Sequence, residues 1–400
     1  MYDLLGTLSL IEVSSFVAAP TIGLYCAQFG ADVIRVDQIG GGQDFHRLPV
    51  NERGDSFSWE NLNRAKRSVA LDLTRSEGRE LLVRLCQDVG TLATNLPPRG
   101  FLAHEKLEAG RLDMISVRVM GWPDGAIALD YTVNAGVGYP ALTGHGDEPV
   151  NHSLPAWDFI TGAYGAFALL AAVQRRAATG LGGEVRLPLT DIAMGTVANL
   201  GRVAEVVHTG QDRPRLGNAV YGTIGRDFVT ADGARVMIVA INERQWQGLV
   251  RALDLSSAVA GLEAAFGVSL SGDDGVRFRH RDAIFAVLEK AIAAITHAEL
   301  VERLDVEGVT HGPYNTLPQA MQDERLFTAN PLFTMSNNNP SGLAYPAAGA
   351  IATIPQMERT PAVPAPHIGQ HTEQVLAERL KLPAGEIARL VDTGIAGIAP

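Results

Sequence analysis

The sequence predicts an α/β protein: a parallel sheet flanked by helices forms its larger part, and a smaller α+β part follows. Three observations carry that expectation. Short apolar runs alternate with helical patterns from Leu8 to Met120. A different texture, marked by an Asp-Gly hairpin signal, begins near Tyr221. At 400 residues and 46% hydrophobic content, the chain can fill more than one core, so two domains are expected.

The elements follow in order. Leu8 to Val13 is a short apolar run that reads as a strand, and Pro20 fits the first turn of a helix that ends near Gly30. Val33 to Val36 is a second strand and Val69 to Leu73 a third. Thr74-x-x-Glu77 reads as a capping box opening the helix that holds Leu81, Leu82 and Leu85. Met114 to Met120 supplies one more strand. Strands separated by helices need crossover connections, which implies a parallel sheet. From about Asn134 to Pro155 the periodicity lapses and Gly, Pro, His and Asp mark loop. An apolar helix from about Asp158 to Arg175 follows. Phe228 to Val239, with Asp232-Gly233 between two alternating runs, reads as a hairpin. Helical segments then run to about Arg325, one opened by Thr296-x-x-Glu299. Asn330 to Pro366, rich in Pro, Gly and Asn, reads as a return path, and His367 to Thr372 leads into a last helix expected to pack on the first domain.

Composition excludes some classes. A formal charge of -11 argues against a nucleic-acid or anionic-membrane surface, though a local basic patch can still hold an anionic small ligand. Cys26 and Cys86 lie inside apolar helical patterns and read as buried free thiols in a reducing compartment. Met1-Tyr2-Asp3 lacks the basic start of a signal peptide, and the longest apolar run, Ala163 to Val173, is about half a bilayer span. A cytoplasmic protein is expected.

Leu154-Pro155-Ala156-Trp157-Asp158-Phe159-Ile160-Thr161-Gly162 sets one carboxylate among apolar residues at a helix start. Asp at such a place is commonly structural, complementing exposed amides. Its surroundings also suit chemistry. Trp157 and Phe159 would shield the carboxylate, Gly162 and Gly165 allow close approach of a backbone or ligand, and a poorly hydrated carboxylate can attack an acyl carbon. Gly136-Val-Gly138-Tyr-Pro-Ala141 fits the spacing of a dinucleotide fingerprint, but the Gly- and Pro-containing stretch after it cannot form the helix that motif needs. His367 and His371, and the group His145, Asp147 and His152, lack metal-ligand spacing, so no metal is expected. No G-x-S-x-G, Walker A or H-E-x-x-H motif is present. Arg64, Lys66 and Arg67 form a basic stretch before a strand, either a solvated loop or a phosphate site, and Gly40-Gly41-Gly42 is either a ligand-approaching loop or a plain turn.

Taken together, Ala18-Ala-Pro20, Phe29 to Val36, Asn63 to Leu73, Thr94-Asn95-Leu96, Thr143-Gly144, Asp158-x-x-Thr161-Gly162, Gly217-Asn218, Thr230 to Gly233, Gly308 to Pro313 and Gly369 to Thr372 resemble the family III CoA-transferases along nearly the whole chain. The resemblance implies a Rossmann-like large domain built from both chain ends (1-215 and 330-400), a smaller inserted α+β domain (216-329), and two subunits interlocked as a homodimer. It implies Asp158 as a nucleophile that carries CoA as an aspartyl thioester. It implies CoA contacts near Ala18, at Leu71, Asp72, Leu73 and Thr74, and at Asn95 and Leu96. Coenzyme A would enter as part of an acyl-CoA substrate, with no prosthetic group.

Further stretches, including Ser15 to Pro20, Ile39 to Gly42, Val150 to Asp158 and Asp212 to Asn218, resemble those members that move CoA between the two carboxyls of one unsaturated C5 dicarboxylic acid. Arg47 and Arg226 would then anchor the carboxylate that is not reacting. Some members place a catalytic glutamine at the position of Val17, an arginine at Gln38 and a basic residue at Pro97, so Arg64, Lys66 and Arg67 become substitutes for holding the CoA phosphates. Racemases of the same fold need a histidine where this chain has Leu129, which disfavours that activity. Intermolecular CoA transfer and non-catalytic acyl-CoA binding stand as the alternatives.

Overall fold

Strands buried on both faces must be apolar along their length, and the aliphatic runs of the first part meet that demand. In the computed structural model, which describes residues 1–399, twelve strands form three sheets. They are β1 (Ser9–Val13), β2 (Asp32–Asp37), β3 (Arg67–Leu71), β4 (Thr91–Thr94), β5 (Ile115–Met120), β6 (Gly183–Pro188), β7 (Ile224–Val229), β8 (Arg235–Ala240), β9 (Thr310–Pro313), β10 (Phe333–Ser336), β11 (Tyr345–Ala348) and β12 (Ala396–Gly397). The large sheet has the order β12-β3-β2-β1-β4-β5-β6. Its first six strands in sequence run parallel, and β12 closes the β3 edge antiparallel.

The chain divides into two compact units. The first comprises Met1–Gly138, His152–Gln211 and Phe327–Pro400, the second Tyr139–Asn151 and Asp212–Leu326. The second unit runs over Asp212–Leu326 where 216-329 is expected, and the segment from Tyr139 to Asn151 groups with it. Arg215, which hydrogen-bonds the carbonyls of Ala141 and Gly146, ties that segment there. One face of the large sheet carries the core of Leu81, Leu82, Leu85 and Cys86 with Val375, Leu376, Ile387 and Leu390 of the C-terminal helices. In the second unit, β7, β8 and β9 form an antiparallel sheet, with Trp246, Phe285, Leu288 and Leu300 among the buried side chains beside it.

Several local expectations are corrected. Thr74 does not cap a helix: its hydroxyl donates to Asp72 Oδ1 at 2.6 Å, and the helix starts later, at Ser76, with no side-chain cap. The nearby carboxylate competes for the hydroxyl and closes a local turn instead. Thr296 does cap, accepting from Glu299 N at 3.4 Å. The stretch expected as loop from about Asn134 takes in the end of the helix Asp130–Gly136 and a single turn, Tyr139–Leu142. Strands β4, β6 and β12 went unpredicted because they are short or polar at their ends.

A charge network lies inside the large sheet. Glu12 of β1 and Arg35 of β2 are buried and 3.1 Å apart. Lys66 Nζ lies 2.8 Å from Glu12 Oε2, 2.9 Å from the Pro20 carbonyl and 2.8 Å from Asn63 Oδ1. Burial, only partly offset by Glu12, pushes the Lys66 ammonium down to about 8. Removing one partner of a buried pair strands the other. Lys66→Met is therefore expected to cost about 3–5 kcal/mol in urea denaturation, with most of the loss recovered in the Glu12→Gln/Lys66→Met double variant.

Candidate active site

The chain leaves β1 towards β2 and β3 on one side of the sheet, then continues through β4, β5 and β6 on the other. Loops leaving β1 and β4 therefore diverge, and a crevice opens at their carboxyl ends. A cavity of about 290 Å³ lies there. Its walls are Ser15 to Ala18 after β1, Asn95 to Pro98 after β4, Val119 to Gly121 and Gly125 to Leu129 around the end of β5, and Leu189 after β6. Asp158 completes the lining.

The loop after β1 is held from both sides. Asn95 Oδ1 accepts from Ser15 N at 3.2 Å and Asn95 Nδ2 donates to the Ser15 carbonyl at 2.9 Å. Arg35 Nη2 donates to the Ser14 carbonyl at 3.0 Å, and Asp44 Oδ2 accepts from Phe16 N at 3.0 Å. These bonds keep Phe16 at φ 68°, a left-handed conformation unfavourable for an aromatic residue. From this turn the helix Ala18–Gln28 starts at the cavity, and its first amides have no acceptor within the helix.

Asp158 reaches the cavity because the helix Ala156–Thr179 packs closely on Ala18–Gln28. A Cβ at Gly162 would lie 2.5 Å from Thr21 Cβ and 3.0 Å from the Ala18 carbonyl, and one at Gly165 would lie 2.6 Å from Ile22 Cδ1. What these glycines admit is thus a neighbouring helix. Asp158, one turn before Gly162, is brought to the start of Ala18–Gln28. At 24 residues the helix exceeds the expected span, and by length and composition alone it could cross a membrane.

The short helix Asp130–Gly136 fixes the other side. Asp130 Oδ2 accepts from Asp158 N at 3.1 Å, and its Oδ1 is 2.7 Å from His152 Nε2. Asn134 Oδ1 accepts from Trp157 Nε1 at 3.1 Å. The Asp158 carboxyl is pushed up to about 7, first by burial and then by the Asp130 charge, against a weaker opposing pull from Arg47. At neutral pH it therefore exists both as a nucleophilic anion and as the acid.

Ala18, Asn95 and Leu96 line the cavity with Asp158. Arg47 is exposed, with its guanidinium carbon 5.1 Å from the Phe16 ring centre. Leu71, Asp72, Leu73 and Thr74 lie at or after the end of β3, on the same edge of the sheet but outside this cavity. The basic stretch does not form the expected phosphate site. Lys66 is sealed against Glu12, Arg67 is paired with Asp32 at 2.6 Å and Glu378 at 2.8 Å, and Arg64 is buried and donates to Asn61. Arg226 belongs to the second unit, 3.4 Å from Glu289 and stacked near Phe228 and Phe285. Gly41 forms a tight turn whose missing Cβ leaves room for the Phe45 ring. Gly136 ends a helix instead of following a strand. Among the described residues no cluster of three His, Cys, Asp or Glu side chains is placed to hold a metal.

Sequence reasoning missed Asp130, Asn134 and His152. The four-residue spacing of Asp130 and Asn134 was the available signal, since it sets both on one helix face. It also missed Arg118, a fully buried side chain of β5 that donates to the carbonyls of Leu96 at 2.6 Å and Leu102 at 2.7 Å and pairs with Glu184 at 2.9 Å.

The site thus sets a carboxylate at the switch point of an α/β sheet, beside two helix starts. The chain belongs to CoA-transferase family III, whose model matches residues 5–372. It is 42% identical over 403 aligned positions to 2-methylfumaryl-CoA isomerase of Chloroflexus aurantiacus, covering 99% of this chain and 98% of that protein. Identity to succinate–glutarate CoA-transferase of Agrobacterium fabrum is 26%, covering 94% and 95%. A CAIB/BAIF family protein from Brucella suis has the same fold, with a TM-score of 0.77 at 24% identity over 94% of this chain and 100% of that one. So has Rv3272 from Mycobacterium tuberculosis, with a TM-score of 0.76 at 22% identity over 93% and 98%.

The raised carboxyl has a consequence for stability. Its neutral form stabilises the fold, an effect fully present below the ordinary value of 3.8 and lost as pH rises through about 7. Asp158→Asn is expected to be more stable than the native protein at pH 8, by on the order of 1–2 kcal/mol after allowing for partial exposure. The difference should fade in acid, as thermal unfolding across pH would show.

Proposed function

We propose that this chain moves coenzyme A between the C1 and C4 carboxyls of 2-methylfumaryl-CoA (mesaconyl-CoA), with Asp158 as the covalent relay. The observation that carries the reading is a half-buried carboxylate with its acidity lowered by burial and a neighbouring charge, in a mainly apolar cavity. The 42% identity to an isomerase of that name selects the substrate.

The Asp158 carboxylate attacks the thioester carbonyl; the C–S bond breaks, giving a mixed anhydride and CoA thiolate. The thiolate attacks the aspartyl carbonyl, releasing the dicarboxylate and leaving an aspartyl thioester. The other carboxylate of the same molecule then attacks this thioester and expels the thiolate, which returns to the new carbonyl and frees Asp158. Each step exchanges one activated acyl bond for another. The first amides of Ala18–Gln28 supply donors for the tetrahedral oxyanion, a role for backbone where Val17 offers no side-chain donor. Arg47 anchors the carboxylate not reacting. Leu96, Pro97 and Pro98 give the cavity an apolar wall that offers an attacking water little to bind. Leu129, at the cavity wall, cannot carry a proton, which sets racemisation aside. The CoA moiety extends along the carboxyl edge of the sheet past Leu71, Asp72, Leu73 and Thr74.

The protein works in the cytoplasm as an interlocked homodimer. Exposed apolar side chains such as Tyr164, Phe167, Leu200 and Val207 are what a second subunit would cover. The alternative is intermolecular transfer to a free acid, favoured by the likeness to succinate–glutarate CoA-transferase. Non-catalytic binding is disfavoured by the placement of Asp158 inside the cavity.

Incubating mesaconyl-C1-CoA with enzyme alone should give the C4 isomer by chromatography. Labelled free mesaconate should enter the product little; substantial incorporation would establish the intermolecular route instead. Asp158→Ala should lower turnover by about 10³-fold or more with the fold intact, and acyl-CoA with hydroxylamine should inactivate the native enzyme.

A further inference from the structure

Asp130 is 2% exposed, yet among the described residues its one ion-pair partner is His152, with no Lys or Arg beside it. A buried carboxylate so weakly compensated is costly to fold. It lies where it does two things at once. One oxygen accepts from the backbone of Asp158, and the other is held by His152. Four residues on, Asn134 holds Trp157 from the same helix face.

We infer that Asp130 is the positioning residue of this reaction: it clamps the first turn of the helix carrying Asp158 and sets a negative charge against that carboxylate. This rests on the reading of Asp158 as the nucleophile. The charged groups facing Asp158 are few. Asp130 comes from the helix Asp130–Gly136 with His152 behind it, and Arg47 comes from the loop after β2. The helix Ala18–Gln28 offers Ala18 and Thr21, neither charged.

The chemical consequence follows from charge. Asp158 is an anion when free and neutral when it is an anhydride or thioester. A second carboxylate beside it destabilises the anion and is relieved on acylation. Asp130 thereby makes Asp158 more basic and more nucleophilic, and shifts the internal equilibrium towards the acylated enzyme. The pairing with His152 keeps Asp130 fixed.

The test is the pH dependence of kcat/KM together with hydroxylamine trapping, mapped by peptide mass spectrometry, on the full chain. Native enzyme should carry the adduct on residue 158; its absence there would fail the nucleophile reading itself. With that adduct in place, Asp130→Asn is expected to move the acid limb down by about one pH unit and to trap less enzyme at steady state. His152→Gln keeps a donor to Asp130 and leaves its charge in place, so it should not lower the limb. An unmoved limb in Asp130→Asn, or an equal fall in both variants, overturns the inference. Should Asp130→Asn not fold, Asp130→Glu retains the charge a methylene away. It should leave the limb in place while kcat falls about tenfold, and a lowered limb in that variant overturns the inference equally.

Discussion

The buried contact between Glu12, Arg35 and Lys66 is the constraint on which the cavity depends. It joins the three strands β1, β2 and β3 where a hydrophobic sheet interior would join them less specifically. More than stability is at stake. Arg35 extends from this contact to the Ser14 carbonyl, to Asp37 and to Asp44, and Asp44 in turn holds the Phe16 amide. The loop that lines the cavity is thus fixed by side chains rooted inside the sheet. A left-handed Phe16 costs of order 1–3 kcal/mol, and several charge-assisted hydrogen bonds are enough to offset it.

Above that floor, two helix starts meet. Gly162 and Gly165 permit it, because any side chain at either position would collide with Thr21 or Ile22. Helix termini favour an anion by roughly 0.3–1 kcal/mol, and Arg47 adds a pull in the same direction. Burial and Asp130 pull the other way and win, since the carboxyl sits near 7 rather than 3.8. The order of these effects matters for chemistry. A carboxylate fully stabilised by helix and arginine would be a poor nucleophile, and one raised much further would be the inert acid at neutral pH.

The parallel sheet, the hairpin around Asp232-Gly233 and the placement of Asp158 at a helix start were legible in the sequence, because each rests on local patterning. The fate of the basic stretch was not. Whether Lys66 meets solvent or Glu12 depends on a partner 54 residues away, and Arg67 depends on Glu378, 311 residues away. Charge runs carry no periodicity from which such pairing can be read. The hydrogen bond from Asp158 N to Asp130 spans 28 residues, and a helix of only seven residues leaves little periodicity to announce it. Glycines 162 and 165 announced a close approach but not whether a helix or a ligand would make it.

Arg118 shapes the loop that follows β4. Its guanidinium draws the carbonyls of Leu96, Pro97 and Leu102 towards the inside of the sheet and is itself neutralised by Glu184. Pro97 and Pro98 have no N–H to present. The cavity wall at Leu96, Pro97 and Pro98 is therefore poor in both donors and acceptors, although it is made of loop backbone. Such a wall gives water little to bind and gives a phosphate nothing, so it suits the apolar part of an acyl thioester. Arg118 and the two prolines thus act together: one turns the loop carbonyls inward, and the others leave no amide in their place.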